Sequence, residues 1–223
     1  MATPHPVPTV FRFAGILLAT GSLVFVVGIA LYATLPSDLG TPSAETSYAE
    51  ALREATTLPT QMERAGRVIY VGDLLIAAAA LALLPRKRLV SSDVERVGWS
   101  LIFVSFVPAF VFDSLFGSAL PRLAVGAPET FPAFKSWFDL QFAVGNIAFG
   151  IGAIAVLLAD ACSDQPTLPA LVDYLAALVC GLALLGGLAY VLGLFVSAAL
   201  TGGTLGVAAL AFGALGAQIA RKG

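Results

Sequence analysis

The chain contains, from Phe11 to Leu35, the stretch FRFAGILLATGSLVFVVGIALYATL, in which Arg12 is the single charged residue. An α-helix rises about 1.5 Å per residue, so about 20 apolar residues cross the hydrocarbon core of a bilayer. The stretch is longer than the roughly 7–15 apolar residues of a signal peptide, and no Ala-x-Ala cleavage pattern precedes Pro36. It therefore predicts a retained transmembrane helix.

Five further apolar runs of comparable length follow. They lie at about Gly66–Leu84, Val97–Leu120, Lys135–Ala159, Leu171–Leu200 and Gly203–Ala220. Charged residues make up 12% of the chain, against about 25% in soluble domains, which excludes a water-soluble globule. We predict an all-α membrane protein, a six-transmembrane-helix bundle in one polytopic domain over residues 1–223, with the lipid bilayer as its surroundings. The last two runs are separated only by Thr201-Gly202-Gly203-Thr204, which we interpret as a tight turn.

The one long connection, Pro36 to Ala65, carries a helical pattern of its own. After Thr41-Pro42, one face presents Tyr48, Leu52 and Ala55, while acidic and basic side chains lie off it. Pro59 ends the pattern. The pattern predicts a short amphipathic helix at the outer membrane surface; a solvated connector is the alternative that the sequence leaves open.

Basic residues near the helix ends indicate the orientation. The loop after the second run contains Arg86, Lys87 and Arg88, with Arg96 close by, and such loops face the cytoplasm. We therefore expect a multi-pass protein of the plasma (inner) membrane with both termini cytoplasmic and the connection from Pro36 to Ala65 outside.

Composition also limits the chemistry. The net charge is −2 with no basic stripe, which argues against nucleic-acid binding. His5 is the sole histidine, and Cys162 and Cys180 are the sole cysteines and far apart, so His-ligated haem, zinc sites and CxxC redox chemistry are not indicated. We predict no cofactor, no metal ligands and no catalytic residues.

Three aspartates stand out inside the predicted helices, where a charged side chain costs a few kcal/mol. Asp73 and Asp113 lie about 10 Å, and Asp139 about 6 Å, below the predicted outer ends of their helices. Acids at a common depth predict an outward-facing acidic pocket. Tyr70, Gln141 and Asn146 lie near enough in depth to line it, and Arg122 is the preferred partner for Asp113 or for an anionic ligand group.

The sequence does not decide which groups pair with these acids. Asp139 follows Lys135 by four residues and can pair with it at the helix surface. Asp113 has no cation within four residues, so we expect Arg122, a ligand or a proton to satisfy it. If Arg122 is that partner, Asp113→Asn should destabilise the protein more than Asp139→Asn. Pro108 predicts a bend in the same helix.

Small residues mark the predicted packing faces, because helices in lipid associate through close backbone contact. Ala14, Gly21 and Gly28 recur every seven residues. Gly202, Gly206, Ala209 and Gly213 share a face of the last helix. These faces can pack within the monomer, in a homo-oligomer or against a partner membrane protein.

Three functions are compatible with these features. The first is binding or transport of a small molecule or cation through the acidic pocket. The second is a non-catalytic accessory or scaffold role. The third is an intramembrane aspartyl hydrolase, since two acids can share a proton. Val71-Gly72-Asp73 resembles part of the Gly-x-Gly-Asp signature of intramembrane aspartyl proteases, with Tyr70 where that signature has its first glycine.

Overall fold

A computed structural model describes residues 9–35, 48–85, 92–194 and 198–222. All regular structure in these residues is helical. The helices are α1 (Thr9–Tyr32), α2 (Tyr48–Thr57), α3 (Pro59–Leu83), α4 (Ser92–Ser114), α5 (Leu120–Gly126), α6 (Phe131–Ala161), α7 (Ala170–Val191) and α8 (Ala198–Lys222), with a π-helical turn at Leu115–Ala119 joining α4 to α5.

Six spans in the described residues are long and apolar enough to cross a membrane, which confirms the predicted fold class. Helices α1, α3, α6, α7 and α8 supply one span each, and α4, the π-helical turn and α5 together supply the remaining one. Large apolar side chains such as Leu23, Val107 and Leu178 are more than 60% exposed on the outside of the bundle. Lipid is the solvent in which such a surface is stable.

The spanning helices form a closed ring. Each packs against the next along the chain, from α1 to α3, α4, α6, α7 and α8, and α8 returns to α1. Helix α2 lies across one end, where it contacts α3, α5 and α6. We refer to this end of the ring as the α2 end.

Small residues lie where the ring helices approach most closely. A Cβ added to Gly21 or Gly28 would lie within 3.0 Å of backbone atoms of α3, and one added to Gly15 would lie 2.6 Å from the Ala220 nitrogen of α8. The face of Ala14, Gly21 and Gly28 is therefore used inside the monomer. Gly202 is helical, but the packing around it lies outside what the structure describes, so its predicted place on the α8 face stays a prediction.

The break between the last two spans differs from the prediction. Residues 201–204 are helical, within α8, and the preceding helix α7 ends at Val191. Gly193 has φ of +70°, the Leu194 N–H donates to the Ala189 carbonyl at 2.8 Å, and the Gly193 N–H donates to that of Tyr190 at 2.9 Å. This is the Schellman motif, which needs one residue in the left-handed conformation that glycine adopts without strain.

The third span contains an irregular turn that the sequence did not predict. Helix α4 continues through Pro108, and the departure from α-helical hydrogen bonding lies at Leu115–Ala119, where the Leu120 N–H donates to the Leu115 carbonyl. In a regular α-helix the ring of Pro121 would clash with the carbonyl of Gly117. A wider π turn avoids that clash and carries the helix to Gly126 rather than ending it at Leu120.

The short helix in the first connection is confirmed as α2. Its buried residues are Ala51 and Ala55, whereas Tyr48 is exposed. The Thr56 hydroxyl donates to the Ala124 carbonyl of α5 at 3.4 Å. Pro59 ends the pattern as predicted and also begins α3, seven residues before the predicted start.

Two sequence features used above lie outside the described residues. They are the predicted start of the short helix at Thr41-Pro42 and the basic loop with Arg86, Lys87 and Arg88.

Candidate functional site

A cavity lies within the helix ring, near the middle of the spans. Helices α1, α3, α4, α6 and α8 and the π-helical turn line it. About 80 Å³ of its interior is available to the centres of water-sized spheres, which is room for several water molecules or part of a small organic ligand. Eight phenylalanines are among the lining residues, so most of the wall is apolar and aromatic.

Each helix contributes one face to the cavity. Positions i, i+4 and i+7 fall on one side of an α-helix. The lining triplets with this spacing are Phe25, Ile29 and Tyr32 of α1, Ile69, Asp73 and Ile76 of α3, Phe142, Asn146 and Phe149 of α6, and Leu205, Ala209 and Phe212 of α8.

Asp73 and Asp113 meet in this cavity from neighbouring helices. Each is 3% exposed, and their side chains lie close enough to interact with each other. The helices come close because Gly66 of α3 faces Gly117 of the π-helical turn; a Cβ on Gly66 would lie 2.5 Å from the Gly117 Cα. Asp73 and Asp113 lie one to two helical turns from this contact, on the same side of it because the helices are antiparallel. The glycine contact therefore brings the two carboxyl groups together.

These two acids also lie deeper than predicted. Helix α3 begins at Pro59 and the third span ends at Gly126, beyond the predicted ends. At about 1.5 Å per residue, Asp73 lies about 21 Å and Asp113 about 20 Å from the ends of their helices at the α2 end. Both positions are near the middle of a span rather than close to its outer end.

Two buried polar atoms of the cavity lack a hydrogen-bond partner in the described structure. One is Oδ2 of Asp113, an acceptor, and the other is Nδ2 of Asn146, a donor. Ser105 also lines the cavity, but its hydroxyl donates to the Ile102 carbonyl of its own helix at 2.6 Å. A bound molecule can therefore gain hydrogen bonds from Asp113 and Asn146 that the protein does not provide for them.

Asp73, Asp113 and Asn146 are the predicted site residues that the structure brings together. Asp139 instead pairs with Lys135, and both are buried, at 3% and 2% exposure. The Lys135 Nζ lies 5.1 Å from the centroid of the Phe138 ring. The pairing considered for Asp139 is therefore present, although inside the protein rather than at its surface.

The other three predicted residues lie away from the acid pair. Arg122 is exposed, so it is not the partner of Asp113. Tyr70 is 37% exposed and packs on Phe110 with ring centroids 5.4 Å apart. Gln141 is half-buried on α6 and is not among the cavity residues. Depth along a helix put Tyr70 and Gln141 level with the acids, but their directions around the helix axes differ. Arg122 was a candidate because of its charge rather than its depth.

Sequence reasoning missed the aromatic wall. Phe112, Phe138 and Phe142 form one cluster, with centroids 5.3 to 6.0 Å apart, and Tyr32 and Phe116 extend it. A signal was present in the sequence, because Phe106 and Phe116 stand seven residues before and three after Asp113 and so share its face.

The arrangement has two chemical capacities. A carboxyl pair in an apolar cavity can bind a cation, and it can also hold a proton between its two members. The described residues include no group of three His, Cys, Asp or Glu side chains placed to hold a metal ion.

Comparison of the chain with known protein families, with curated proteins and with solved structures finds no match.

Proposed function

We propose that the protein binds a small cation in the cavity between Asp73 and Asp113 and carries it across the bilayer. The observation that carries the proposal is the meeting of two buried carboxyl groups with an unpartnered Asp113 oxygen. Negative charge within a membrane is costly, and a bound cation offsets that cost. In this proposal the cation crosses the bilayer inside the ring of helices.

The direction of access follows from the basic residues. If the loop with Arg86, Lys87 and Arg88 faces the cytoplasm, the α2 end faces outward. On α1, the cavity residues Phe25, Ile29 and Tyr32 all lie in the half of the helix nearer that end. We therefore propose that the cation enters from the outer side of the plasma membrane.

Flux into vesicles tests the proposal. Purified protein is reconstituted into liposomes, and uptake of sodium, potassium, calcium and 2-phenylethylammonium is measured against protein-free liposomes. We expect at least one of these cations to enter faster with the wild type, and Asp113→Asn to lower that rate by about tenfold or more. Asp93→Asn is the matched control, because Asp93 is on the same helix with its side chain 90% exposed.

The same vesicles separate the outcomes. Uptake lost in both variants would show a general effect of the substitution and would contradict the assignment to Asp113. Asp113-dependent binding without uptake would leave the cavity as a binding site and remove transport from the proposal. The whole proposal fails if no cation of the panel either binds to the wild type or enters its vesicles.

The carboxyl pair also favours the hydrolase as a second candidate. Two carboxyl groups that share a proton can activate water in general acid–base catalysis. Cleavage of a fluorogenic transmembrane peptide by the wild type, abolished by both Asp73→Asn and Asp113→Asn, would favour this reaction over cation binding. The accessory role has less support. It depended on small-residue faces that bind a partner, and the face of Gly21 and Gly28 on α1 packs against α3 inside the monomer.

A further inference from the structure

We propose that the cation is a monovalent organic ammonium ion with an aromatic or alkyl body. Its N–H groups donate to the carboxyl pair of Asp73 and Asp113, and its body lies among the phenylalanines. This inference rests on the proposed function and names the class of ligand that the cavity takes.

The walls of the cavity fit an organic body better than a hydrated inorganic ion. Calcium takes six to eight oxygen ligands and magnesium needs a nearly ideal octahedron of oxygens. The oxygen-bearing side chains of the cavity are few beside its eight phenylalanines. An inorganic ion would lose its water ligands to rings that cannot replace them, whereas an apolar ligand body gains by leaving water.

The aromatic rings also attract positive charge directly. A cation within about 6 Å of a ring centroid is attracted to the negative face of that ring, and organic ammonium ions are commonly bound in this way. Phe112, Phe138 and Phe142 form a continuous wall, and Phe112 is adjacent in sequence to Asp113. The cavity thus combines carboxyl groups and π faces, the two groups that bind an ammonium ion.

The pair of acids sets the ligand charge at one. Two ionised carboxylates side by side in an apolar cavity repel each other, and a proton on one of them removes that repulsion. The pair then presents one negative charge. Tyr32 is the only other titratable side chain among the described residues that line the cavity. One ammonium ion therefore leaves the cavity neutral, which is the least costly state within a membrane.

The unpartnered atom of Asp113 favours an ammonium ion that carries hydrogens. Oδ2 of Asp113 is buried and accepts no hydrogen bond in the described structure. A primary ammonium has three N–H donors, and a hydrogen bond between charged groups is about twice as strong as a neutral one. A quaternary ammonium has the same charge but no donor. The cavity should therefore prefer the primary ion.

Three ligands of similar shape test this inference by calorimetric titration of the protein in lipid nanodiscs at neutral pH. The probes are 2-phenylethylammonium, its N,N,N-trimethyl derivative and the neutral 2-phenylethanol. We expect the primary ammonium to bind about tenfold or more tightly than the alcohol, with the quaternary ion between them. Sodium and calcium are titrated separately and are expected to bind more weakly than the primary ammonium.

Variants assign the binding to the cavity. Replacing both Asp73 and Asp113 by asparagine removes the negative charge and should reduce the affinity for 2-phenylethylammonium to about that for the alcohol, and Asp93→Asn should leave it unchanged. Phe142→Leu keeps an apolar side chain and removes one π face. It should therefore lower the affinity for the ammonium by roughly threefold or more, and the affinity for the alcohol by less. Circular dichroism and size-exclusion profiles establish that each variant is folded.

The outcomes distinguish this inference from the proposal on which it rests. Equal affinity for the ammonium and the alcohol would overturn the inference of a cationic ligand. Asp113-dependent binding of sodium or calcium, without binding of the ammonium, would overturn the organic class and leave the cation site standing. If none of the probes binds to the wild type, both proposals fail.

Discussion

Asp139 and Lys135 lie one helical turn apart on α6, and both side chains are buried. Asp139→Asn removes the negative member of this ion pair and keeps the Lys135 ammonium inside the protein. Breaking a buried pair in this way costs on the order of 3 kcal/mol. We therefore expect Asp139→Asn to lower the free energy of unfolding by about this amount, as measured by SDS titration in mixed micelles.

Asp113→Asn is the comparison for this prediction. Its neighbour is the carboxyl of Asp73 rather than a cation, and an asparagine amide can donate to that carboxyl. We expect a change of at most about 1 kcal/mol. This order is the reverse of that expected from a pairing between Asp113 and Arg122. A larger loss of stability in Asp113→Asn than in Asp139→Asn would contradict the two environments described here.

At this scale the sequence identified the acids but only part of their surroundings. The cost of charge in a membrane singled out Asp73, Asp113 and Asp139, and four-residue spacing indicated the pair with Lys135. The meeting of Asp73 with Asp113 was not predictable in the same way. It depends on how α3 and α4 are rotated about their axes, and the contact between Gly66 and Gly117 that fixes this rotation joins distant parts of the chain.

Helix α8 packs on α1 through Gly216, a residue that was not named in the predicted small-residue face. A Cβ added there would lie 2.6 Å from the Ala19 nitrogen and 2.8 Å from the Gly15 carbonyl oxygen, and backbone atoms cannot yield as a side chain does. We expect Gly216→Ala to lower the free energy of unfolding by roughly 1–3 kcal/mol. The measurement is again SDS titration in mixed micelles.

Gly206→Ala is the matched control on the same helix. Its added Cβ would meet only the Ile29 Cγ2 at 3.7 Å, an ordinary van der Waals contact. Alanine favours a helix over glycine by about 1 kcal/mol, so this variant should be as stable as the wild type or slightly more stable. Equal loss of stability in both variants would argue against the close contact between α1 and α8.

Helices themselves were easier to predict than their ends. Hydropathy located the six spans because each crosses the membrane, but polar residues extend α3 back to Pro59 and a π turn extends the third span to Gly126. The turn after α7 was placed at a pair of glycines, whereas the structure uses the single Gly193. Hydropathy is similar on both sides of that turn, so it cannot indicate which glycine adopts a positive φ.

The described residues form a ring of six membrane-spanning segments around an aromatic cavity that holds a carboxyl pair. Its membrane character followed from composition and run length alone. Composition and run length could not predict that the ring closes from α8 to α1 or that the phenylalanines converge, because both features depend on the relative positions of several helices. The acidic pocket was predicted as polar and near the surface, and it is instead largely apolar and near the middle of the spans.

Carboxyl-resolved carbon-13 NMR tests most directly whether Asp73 and Asp113 form the cation site. Protein labelled at the aspartate carboxyl carbon is titrated in nanodiscs with 2-phenylethylammonium and, separately, with sodium. The signals of Asp73 and Asp113 are identified by their loss in Asp73→Asn and Asp113→Asn, and those of Asp93 and Asp139 in the same way. We predict that a cation shifts the signals of Asp73 and Asp113 together and leaves those of Asp93 and Asp139 in place. Cation-dependent shifts of Asp93 or Asp139, with Asp73 and Asp113 unchanged, would contradict the assignment of the cation site to this cavity.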